Sequence, residues 1–314
     1  MSAAEVDTAE VVVAENVWGE PFEHLAAART LARRADAGDL TGARALVVRN
    51  RTQVDAALLD AAPSLQVVGR AGVGLDNIDL AAADEHGVVV VAPLGANAVS
   101  VAEHTLALVL AVFRGIPGHD RDVRAGQWRR TPGRELAGRT WGLLGYGATG
   151  RAVARLAGAF GMRVMAYDPY VDTAVDVELV DLETVLAESD VLSVHLPATP
   201  QTRGLLGADT LSRMRHGAVL VSVGRGEVVD EDALAAALHA RRLSGAGLDV
   251  RASEPPAPGP LDAAPNVIFT PHVAGITVES QQRIASVLVD DINSVLDGAE
   301  AAHAVGQHKR GRAR

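Results

Sequence analysis

The chain has 314 residues, of which 48% are hydrophobic and 22% charged, a profile typical of a soluble protein with room for two domains. Its net charge of −10 at pH 7 disfavours binding to nucleic acid or to an anionic membrane surface. The absence of cysteine excludes disulfides, thiolate chemistry and cysteine-ligated zinc. Because residues 1–20 are acidic and lack a sustained apolar segment, neither a signal peptide nor a membrane span is expected there, and a cytoplasmic location is predicted.

Short β-branched segments alternate with alanine-rich helical stretches along the chain, which is typical of βαβ units on a parallel sheet. Strands are predicted at 11–14, 45–48, 65–70, 88–93, 140–147, 162–168, 190–196, 218–224, 244–250 and 266–272. Two long helical patterns cover about 100–114 and 277–296. The predicted fold class is therefore α/β, with two doubly wound parallel-sheet lobes.

The order of these elements predicts two domains, one of them discontinuous. Residues 97–274 are expected to form one domain, and residues 1–96 together with 275–314 the other, because the last helix returns to the first lobe. The tail from about residue 299 is expected to be disordered. Its basic residues, which could contact an anionic partner, are Lys309, Arg310, Arg312 and Arg314.

One glycine-rich stretch, GLLGYGATG at 142–150, leaves a predicted strand and opens a predicted helix. Its glycines Gly145, Gly147 and Gly150 allow a tight turn, a close approach to a pyrophosphate and close packing of helix on strand. Asp168 ends the next predicted strand, where it would accept hydrogen bonds from the adenosine ribose. The stretch therefore predicts a dinucleotide site. No arginine follows Asp168 in DPYVD to bind a 2′-phosphate, which favours NAD over NADP.

Several further motifs stand in a recognisable order. They are VGRAGVGLDNIDL at 68–80, GANAVSVAEHT at 95–105, GYGATG at 145–150, HLPAT at 195–199, VGRGEVVDEDAL at 223–234, GLDVRASEPP at 247–256 and TPHVAG at 270–275. Together they resemble the D-isomer-specific 2-hydroxyacid dehydrogenases, within the group of 3-phosphoglycerate dehydrogenases and hydroxypyruvate reductases. The resemblance implies a Rossmann NAD-binding domain inserted in a flavodoxin-like substrate domain. It also implies an NAD-dependent oxidoreductase that interconverts a D-2-hydroxy acid and its 2-keto acid.

The resemblance assigns catalytic roles to three residues. His272 would be the proton donor and acceptor, Glu254 its hydrogen-bonded partner, and Arg225 the residue that grips the substrate. The chemistry agrees, because hydride reduction of a keto acid leaves charge on the carbonyl oxygen, and a group that titrates near neutrality must protonate it. A carboxylate beside the imidazole stabilises its protonated form. Taken alone, His272 is more often a structural residue, and no metal is expected.

Cofactor and substrate positions are also implied by the resemblance. For the cofactor it adds Ala148, Thr149, Val223, Gly224 and Asp249, the last of which would bond the nicotinamide amide or simply end a strand. His195 would lie near the cofactor without a proton-transfer role. The backbone of Ala71, Gly72, Val73 and Gly74 would receive the substrate carboxylate, unless it is an ordinary turn. Asn97 would lie on the substrate side or cap the following helix.

This sequence departs from the family pattern at three positions, Ser222, Gly224 and Arg251, where relatives commonly have asparagine, alanine and phenylalanine. Separately, Arg49 and Arg70 each lie at the end of a predicted strand, where open α/β sheets place ligands. Their charge exceeds what one carboxylate needs. A second anionic group on the substrate is therefore expected, with 3-phosphoglycerate the leading candidate, although such arginines also pair with surface carboxylates.

Alternatives remain open at this point. The chain could reduce hydroxypyruvate, glyoxylate or another 2-keto acid, or it could be a non-catalytic NAD-sensing scaffold of the corepressor type. An NAD enzyme of unrelated chemistry on the same fold is disfavoured by the three matches at Arg225, Glu254 and His272. The family further implies a homodimer formed through residues of about 98–130, with Trp128 as an interface anchor. Neither nucleic acid nor a membrane is expected as a partner.

Overall fold

A computed structural model describes residues 10–311, apart from residues 16, 18, 19, 26 and 27. The chain divides into two compact units: Met1–Asn97 with Ile276–Arg314, and Ala98–Gly275. We call them the first and second unit. Their junctions lie one residue from those expected from the sequence.

The described residues contain twelve β-strands. They are β1 (Val11–Val13), β2 (Ala28–Thr30), β3 (Ala45–Val48), β4 (Val67–Arg70), β5 (Val89–Val91), β6 (Thr140–Leu144), β7 (Arg163–Tyr167), β8 (Glu178–Leu179), β9 (Val191–Val194), β10 (Val219–Ser222), β11 (Gly245–Leu248) and β12 (Val267–Phe269).

The α-helices are labelled in the same way. They are α1 (Ala56–Asp60), α2 (Leu80–Glu85), α3 (Ala98–Arg114), α4 (Ile116–Arg124), α5 (Ala148–Ala159), α6 (Leu182–Glu188), α7 (Ala208–Arg213), α8 (Glu231–His239) and α9 (Val278–Leu296). Short 3₁₀ helices lie at Glu20–His24, Ala37–Leu40, Gly226–Val228 and Pro260–Ala263.

The first unit contains a five-stranded parallel sheet in the order β2-β1-β3-β4-β5. This is the flavodoxin-like order, so the predicted fold class is confirmed for this unit. Its inner strands read as valine-rich runs because both faces of the sheet are covered. Ile284, Leu288 and Ile292 of α9 pack on one face, and Leu40, Leu58 and Leu59 lie in the cluster on the other.

The expectation of a disordered tail from about residue 299 is wrong for residues 299–311. Ala304 forms an antiparallel bridge with Val91, which extends the edge of the sheet beyond β5. The buried carboxylate of Asp291 in α9 accepts hydrogen bonds from the backbone N–H groups of Ala302 and His303 and from His303 Nδ1. These bonds hold residues 299–311 in place, although the composition of this segment alone predicts disorder. Arg312 and Arg314 lie outside the described residues.

The second unit contains a seven-stranded parallel sheet in the order β12-β11-β10-β9-β6-β7-β8. This is the doubly wound Rossmann arrangement, in which the strand order reverses between β6 and β9. The core on one face is formed by buried residues of α3, such as Val109 and Val112, and of α5, such as Val153. The predicted Rossmann domain is therefore confirmed, and the reversal marks the edge where such folds bind ligands.

Two strands were missed by the sequence pattern, β2 and β8. Both lie at the edge of their sheets, are two or three residues long, and carry exposed or half-buried side chains. An edge strand of this kind lacks the apolar run that marks an inner parallel strand. Hydropathy therefore gives no signal for it.

Among the described residues, no single helix is long and apolar enough to cross a membrane. The consecutive helices α3 and α4 reach that length and hydropathy only together, and they are bent by 61° at their junction.

Candidate functional site

The glycine loop of the second unit leads from β6 into α5. Gly145 has φ +95°, a conformation that side chains rarely adopt, and a Cβ on Gly150 would overlap the carbonyl oxygen of Gly145. Gly147 caps α5 without a side-chain hydrogen bond, and a Cβ there would meet open space. The first N–H groups of this 12-residue helix thus remain available for the phosphates of a dinucleotide, with Ala148 and Thr149 in its first turn.

Asp168 directly follows β7 and is half-buried. Its Oδ2 accepts a hydrogen bond of 2.8 Å from the N–H of Tyr146, inside the glycine loop, and its Oδ1 accepts one of 3.0 Å from the N–H of Tyr170. The carboxylate is therefore oriented by the same loop that would hold the pyrophosphate. Its position fits a residue that bonds the adenosine ribose, which stays a prediction.

His272 and Glu254 form a pair in the second unit. The two side chains, 44% and 37% exposed, are joined by a hydrogen bond of 2.7 Å between Nδ1 of His272 and Oε2 of Glu254. Oε1 of Glu254 accepts from the backbone N–H of Arg251 at 3.2 Å, so the carboxylate is held at both oxygens. The imidazole therefore donates from Nδ1, which leaves Nε2 to exchange a proton with a substrate.

The backbone of His272 is held in an unusual conformation, with φ +55°. Its N–H donates to the carbonyl oxygen of Asp249 at 2.8 Å, and the buried Asp249 carboxylate accepts from the N–H groups of Val273 and Ala274. The hydroxyl of Thr270 donates to the same carboxylate at 2.5 Å. These bonds fix the conformation of the 270–274 loop and so maintain the strained φ of His272.

Asp249 therefore has an observed role that the sequence reading did not foresee. Both of its oxygens face the 270–274 loop, and the residue is 2% exposed. In the structure, Asp249 positions His272 through these bonds. The expected contact with the nicotinamide amide stays a prediction.

Arg225 precedes Gly226, which packs against the segment that leads to Glu254. A Cβ on Gly226 would overlap the backbone of Arg251 and Ala252, so only glycine lets the turn after β10 approach the segment that carries Glu254. Arg225 itself is half-buried, and its Nη1 donates to the carbonyl oxygen of Gly224 at 3.0 Å. Arg225 therefore lies on the segment whose Gly226 packs against the backbone that leads to Glu254.

Arg251, a departure from the family pattern, is a packing residue. Its guanidinium donates to both carboxylate oxygens of Glu231 in α8, at 3.0 and 2.7 Å, and lies over the ring of Phe269 with its carbon 4.8 Å from the ring centre. The hydrogen bond to Glu231 raises the pKa of Arg251. The charge of Arg251 is therefore balanced by Glu231.

The turn after β10 approaches the turn after β9. Val223 is buried, and a Cβ on Gly224 would lie 2.6 Å from the carbonyl oxygen of Leu196. This close approach explains why glycine occupies position 224. His195, the residue before Leu196, bonds through Nε2 to the hydroxyl of Ser193 at 2.8 Å.

The first unit carries the predicted anion-binding residues at the carboxyl ends of two neighbouring strands. Arg49 follows β3 directly, and Val48, the last residue of that strand, is the register partner of Arg70 at the end of β4. The Arg70 side chain is buried against the turn of Ala71, Gly72, Val73 and Gly74, since a Cβ on Gly72 would overlap its Nη1. The structure therefore brings both arginines and the predicted carboxylate-binding turn to the same edge.

Asn97, the last residue of the first unit, is half-buried and directly precedes α3. This position suits either reading made from the sequence, a substrate-side amide or a residue at a helix start. Its expected contact with substrate stays a prediction.

No group of three or more His, Asp or Glu residues that could hold a metal ion lies in the described part of the chain.

Comparison with known proteins decides the family. Residues 106–274 match the model of the D-isomer specific 2-hydroxyacid dehydrogenase, NAD binding domain. The chain belongs to the D-isomer specific 2-hydroxyacid dehydrogenase family. The matched range contains the glycine loop, Asp168, Arg225, Glu254 and His272, so the family's NAD-binding domain is the second unit.

Named relatives of this family member fall into more than one substrate class. It is 44% identical over 268 residues to a D-3-phosphoglycerate dehydrogenase of Archaeoglobus fulgidus, covering 83% of this chain and 51% of that protein. It is also 44% identical over 263 residues to an (S)-sulfolactate dehydrogenase of Chromohalobacter salexigens, covering 81% of this chain and 85% of that protein. The chain thus spans about half the length of the phosphoglycerate dehydrogenases that it matches.

A solved structure of the family has a similar fold. An NADPH-dependent glyoxylate/hydroxypyruvate reductase of Sinorhizobium meliloti, in complex with NADP and malonate, superposes with a TM-score of 0.86 at 31% identity, covering 97% of this chain and 98% of that one. Both lobes of this dehydrogenase-family chain therefore have counterparts in a solved relative.

Sequence reasoning missed several residues that shape these sites. His104 of α3 bonds through Nε2 to the Thr270 hydroxyl at 3.0 Å, which supports the His272 loop from the other side. Tyr146, buried in the glycine loop, bonds to Asp176, and burial together with this bond raises the pKa of Tyr146 to about 12. Both residues stand inside quoted motifs, but only their tertiary partners reveal what they do.

Glu15 is a further residue that the sequence reading missed, in the first unit. This buried residue accepts hydrogen bonds from the N–H groups of Arg51 and Thr52 at 2.8 and 2.6 Å. Burial raises the pKa of Glu15, but the hydrogen bonds of Thr52 and of the turn backbone lower it by more. Glu15 therefore fixes the turn that follows Arg49 and contributes one negative charge at the same edge as the arginines.

Proposed function

We propose that this protein interconverts a D-2-hydroxy acid and its 2-keto acid by hydride transfer, with NAD as the acceptor. The observation that carries the proposal is the His272–Glu254 pair, held in the NAD-binding unit by Asp249 and Thr270. Such an arrangement of an oriented imidazole and a supporting carboxylate fits a proton donor and acceptor.

The cofactor would supply and receive the hydride, and the protein's own residues handle the proton and the charge. In reduction, protonated His272 gives the proton on Nε2 to the carbonyl oxygen of the keto acid as charge develops there. Glu254 stabilises the imidazolium and holds the ring through Nδ1. In oxidation, neutral His272 takes the hydroxyl proton back at the same atom.

Arg225 is proposed to bind the substrate carboxylate and to polarise the carbonyl. A guanidinium keeps its charge throughout the neutral range and offers paired N–H donors that match a carboxylate. The backbone N–H groups at Ala71–Gly74 are also proposed to bind the substrate carboxylate. Successive N–H groups of a glycine-rich turn form an anion-binding concavity.

The substrate is proposed to carry a second anionic group, with 3-phosphoglycerate as the leading candidate. Arg49 and Arg70 lie at the ends of neighbouring strands, beside the glycine-rich turn of residues 71–74. Relatives at 44% identity are named for 3-phosphoglycerate and for sulfolactate, both of which carry such a group. Arg49 and Arg70 are proposed to bind the phosphate or sulfonate of the substrate.

Reduction of hydroxypyruvate, glyoxylate or another 2-keto acid is the second candidate. It is favoured by the similarity to a solved glyoxylate/hydroxypyruvate reductase, which covers nearly the whole chain. A third candidate, a non-catalytic NAD-sensing scaffold, requires that the chain bind NAD without turnover.

A panel of keto acids with NADH distinguishes the three candidates. Oxidation of NADH should be fastest, by kcat/KM, with phosphohydroxypyruvate or sulfopyruvate, and slower with hydroxypyruvate and glyoxylate. A higher kcat/KM with hydroxypyruvate or glyoxylate, which lack a second anionic group, would favour the second candidate. NADH binding without oxidation by any member of the panel would support the scaffold and contradict the enzyme.

We also propose that the protein forms a homodimer through the α3–α4 region. Helix α4 buries none of its residues. Exposed apolar side chains lie on it, at Ile116 and Val123, after it, at the 80% exposed Trp128, and near the start of α3, at Val99. Analytical ultracentrifugation at micromolar concentration should give a dimer, and Trp128→Ala should shift it towards monomer. A monomeric wild-type protein would contradict the proposal. Nucleic acid and membranes are not proposed as partners, and the cytoplasmic location stays a prediction.

A further inference from the structure

Glu15 combines a buried carboxylate with an unusual backbone conformation. The residue follows the carboxyl end of β1 and has φ +64°, a value that residues other than glycine seldom adopt. Its own N–H donates to the carbonyl oxygen of Arg33 at 2.8 Å. Backbone strain and the burial of an ionisable group both cost stability, so the presence of a glutamate here calls for a reason.

The carboxylate of Glu15 accepts hydrogen bonds from a single turn, residues 49–53, which follows β3. Its Oε2 accepts from the N–H of Arg51 at 2.8 Å, and its Oε1 from the N–H of Thr52 at 2.6 Å. Burial raises the pKa of Glu15, but bonds from the Thr52 hydroxyl and from the backbone, including that of Arg49, lower it by more. The turn therefore forms an anion-binding concavity that the protein fills with its own carboxylate.

The same turn is bonded to the segment that contains the predicted carboxylate-binding residues 71–74. The carbonyl oxygen of Thr52 accepts from Nδ2 of Asn77 at 2.7 Å, and the N–H of Val54 donates to the carbonyl oxygen of Asn77 at 2.8 Å. Thr52 and Asn77 are both buried. Glu15, Thr52 and Asn77 thus form one buried network, which links the turn after β3 to the segment after β4.

The strand order brings this network to the proposed anion-binding residues. β1 pairs with β3 in a register that, continued by two residues, sets Glu15 opposite Arg49. On its other side β3 pairs with β4, which ends at Arg70. The carboxylate of Glu15 therefore fixes the backbone that carries the Arg49 side chain.

We propose that Glu15 is a positioning residue for substrate selection. Its carboxylate fixes the turn of residues 49–53, so that Arg49 can bind the second anionic group of the substrate. The inference rests on the proposed preference for such a substrate. It gives Glu15 no contact with the substrate, since Glu15 acts through Arg49.

Glu15 has two effects on substrate selection, and they have opposite signs. As a negative charge, the carboxylate repels an anionic substrate, so its neutralisation alone would strengthen the preference for one. As an acceptor, it holds the turn, and an amide in its place would put a donor where a backbone N–H needs an acceptor. We expect the second effect to dominate, because a displaced Arg49 loses direct charge-assisted hydrogen bonds, whereas the repulsion acts without contact and is screened by solvent.

The test compares kcat/KM for phosphohydroxypyruvate with kcat/KM for hydroxypyruvate in Glu15→Gln. The ratio should fall about fivefold, less than on removal of Arg49 itself, and kcat/KM for hydroxypyruvate should stay within about twofold of the wild type. Glu10→Gln is the matched control, because Glu10 lies at the opposite end of β1, where it pairs with Arg44. This control removes the same charge at the amino end of the sheet and should leave the ratio unchanged.

A double-mutant cycle with Arg49→Ala distinguishes positioning from a general loss of structure. If Glu15 acts through Arg49, Glu15→Gln should alter the ratio by less than about twofold once residue 49 is alanine. A fall of the same size in that background would overturn the inference. Thr52→Val removes the hydroxyl bonded to Glu15 and keeps the side-chain shape, so it should lower the ratio about threefold. It takes the place of Glu15→Gln in the cycle if that variant does not fold.

The outcomes separate this inference from the proposed function. A ratio that rises or stays unchanged in Glu15→Gln would overturn the inference and leave the preference for an anionic substrate standing. A wild-type protein that lacks this preference, or that oxidises NADH with neither substrate, would overturn both. A ratio that falls in Glu15→Gln, but no longer depends on Glu15 in the Arg49→Ala background, would support both.

Discussion

The two units position their proposed functional groups by different means. In the second unit, His272 and Glu254 are held by hydrogen bonds to the backbone and to Asp249, which is buried. In the first unit, Arg49 and Arg70 stand at neighbouring strand ends, Arg70 is buried against Gly72, and Glu15 bonds to the backbone that follows Arg49. We propose that the second unit supplies the precise geometry that proton transfer requires, and the first unit the positive charge that binds an anion.

This difference leads to an expectation about kinetics. Changes in the second unit should reduce kcat, because they disturb groups that act only in the transition state. Changes in the first unit should alter the preference among substrates and leave the chemical step nearly intact. Substitutions in each unit test that division.

His272→Ala should reduce kcat about a thousandfold, within the range usual for the loss of a general acid and base. NADH affinity should be unchanged, because the predicted nucleotide contacts come from other residues. Steady-state kinetics and an NADH titration measure the two quantities. His239→Ala, an exposed histidine in α8, is the matched control. Near-normal turnover in His272→Ala would return His272 to a structural role.

Glu254→Gln should reduce kcat less, by about ten- to a hundredfold, because the amide can still hold the ring. The loss arises because the neutral amide no longer stabilises the positive charge on His272 during turnover. Steady-state kinetics of NADH oxidation measures the change in kcat. An unchanged kcat would mean that the charge of Glu254 is not needed.

Arg49→Ala should reduce the ratio of kcat/KM for phosphohydroxypyruvate to that for hydroxypyruvate by about tenfold, since one charge-assisted hydrogen bond is lost. The kcat with hydroxypyruvate should remain close to that of the wild type. Arg70 is buried against Gly72, so Arg70→Lys is the more informative change there, with the folding of the variant checked by circular dichroism. If the preference survives loss of both arginines, the proposed anion-binding edge is wrong.

Asp168→Ala should have the smallest effect, a narrowing of the preference for NADH over NADPH by about fivefold, because the carboxylate repels a 2′-phosphate. Fluorescence titration with both nucleotides measures it. The wild-type protein should bind NADH more tightly, and equal affinities would contradict the assignment of NAD as the preferred cofactor.

The sequence predicted the second unit in more detail than the first. Most of its inner strands are buried apolar runs, and the glycine loop stands in one strand–turn–helix unit with Asp168 at the end of the next strand. In the first unit, β2 and the tail beyond residue 299 were not predicted, since an exposed edge strand and a polar tail lack a hydropathic pattern. The tail is ordered by Asp291 and by the bridge between Ala304 and Val91, contacts that no local pattern encodes.

By itself, the sequence determined the α/β class, the junctions of the two units to within one residue, the glycine loop, and the identity of Arg225, Glu254 and His272 as the residues to examine. Only the tertiary structure decided that Asp249 serves the His272 loop and that Arg251 is neutralised by Glu231. The physical reason is that periodicity and motifs report on backbone neighbours, whereas the state of an ionisable side chain is set by burial and by hydrogen-bond partners that are distant in the chain.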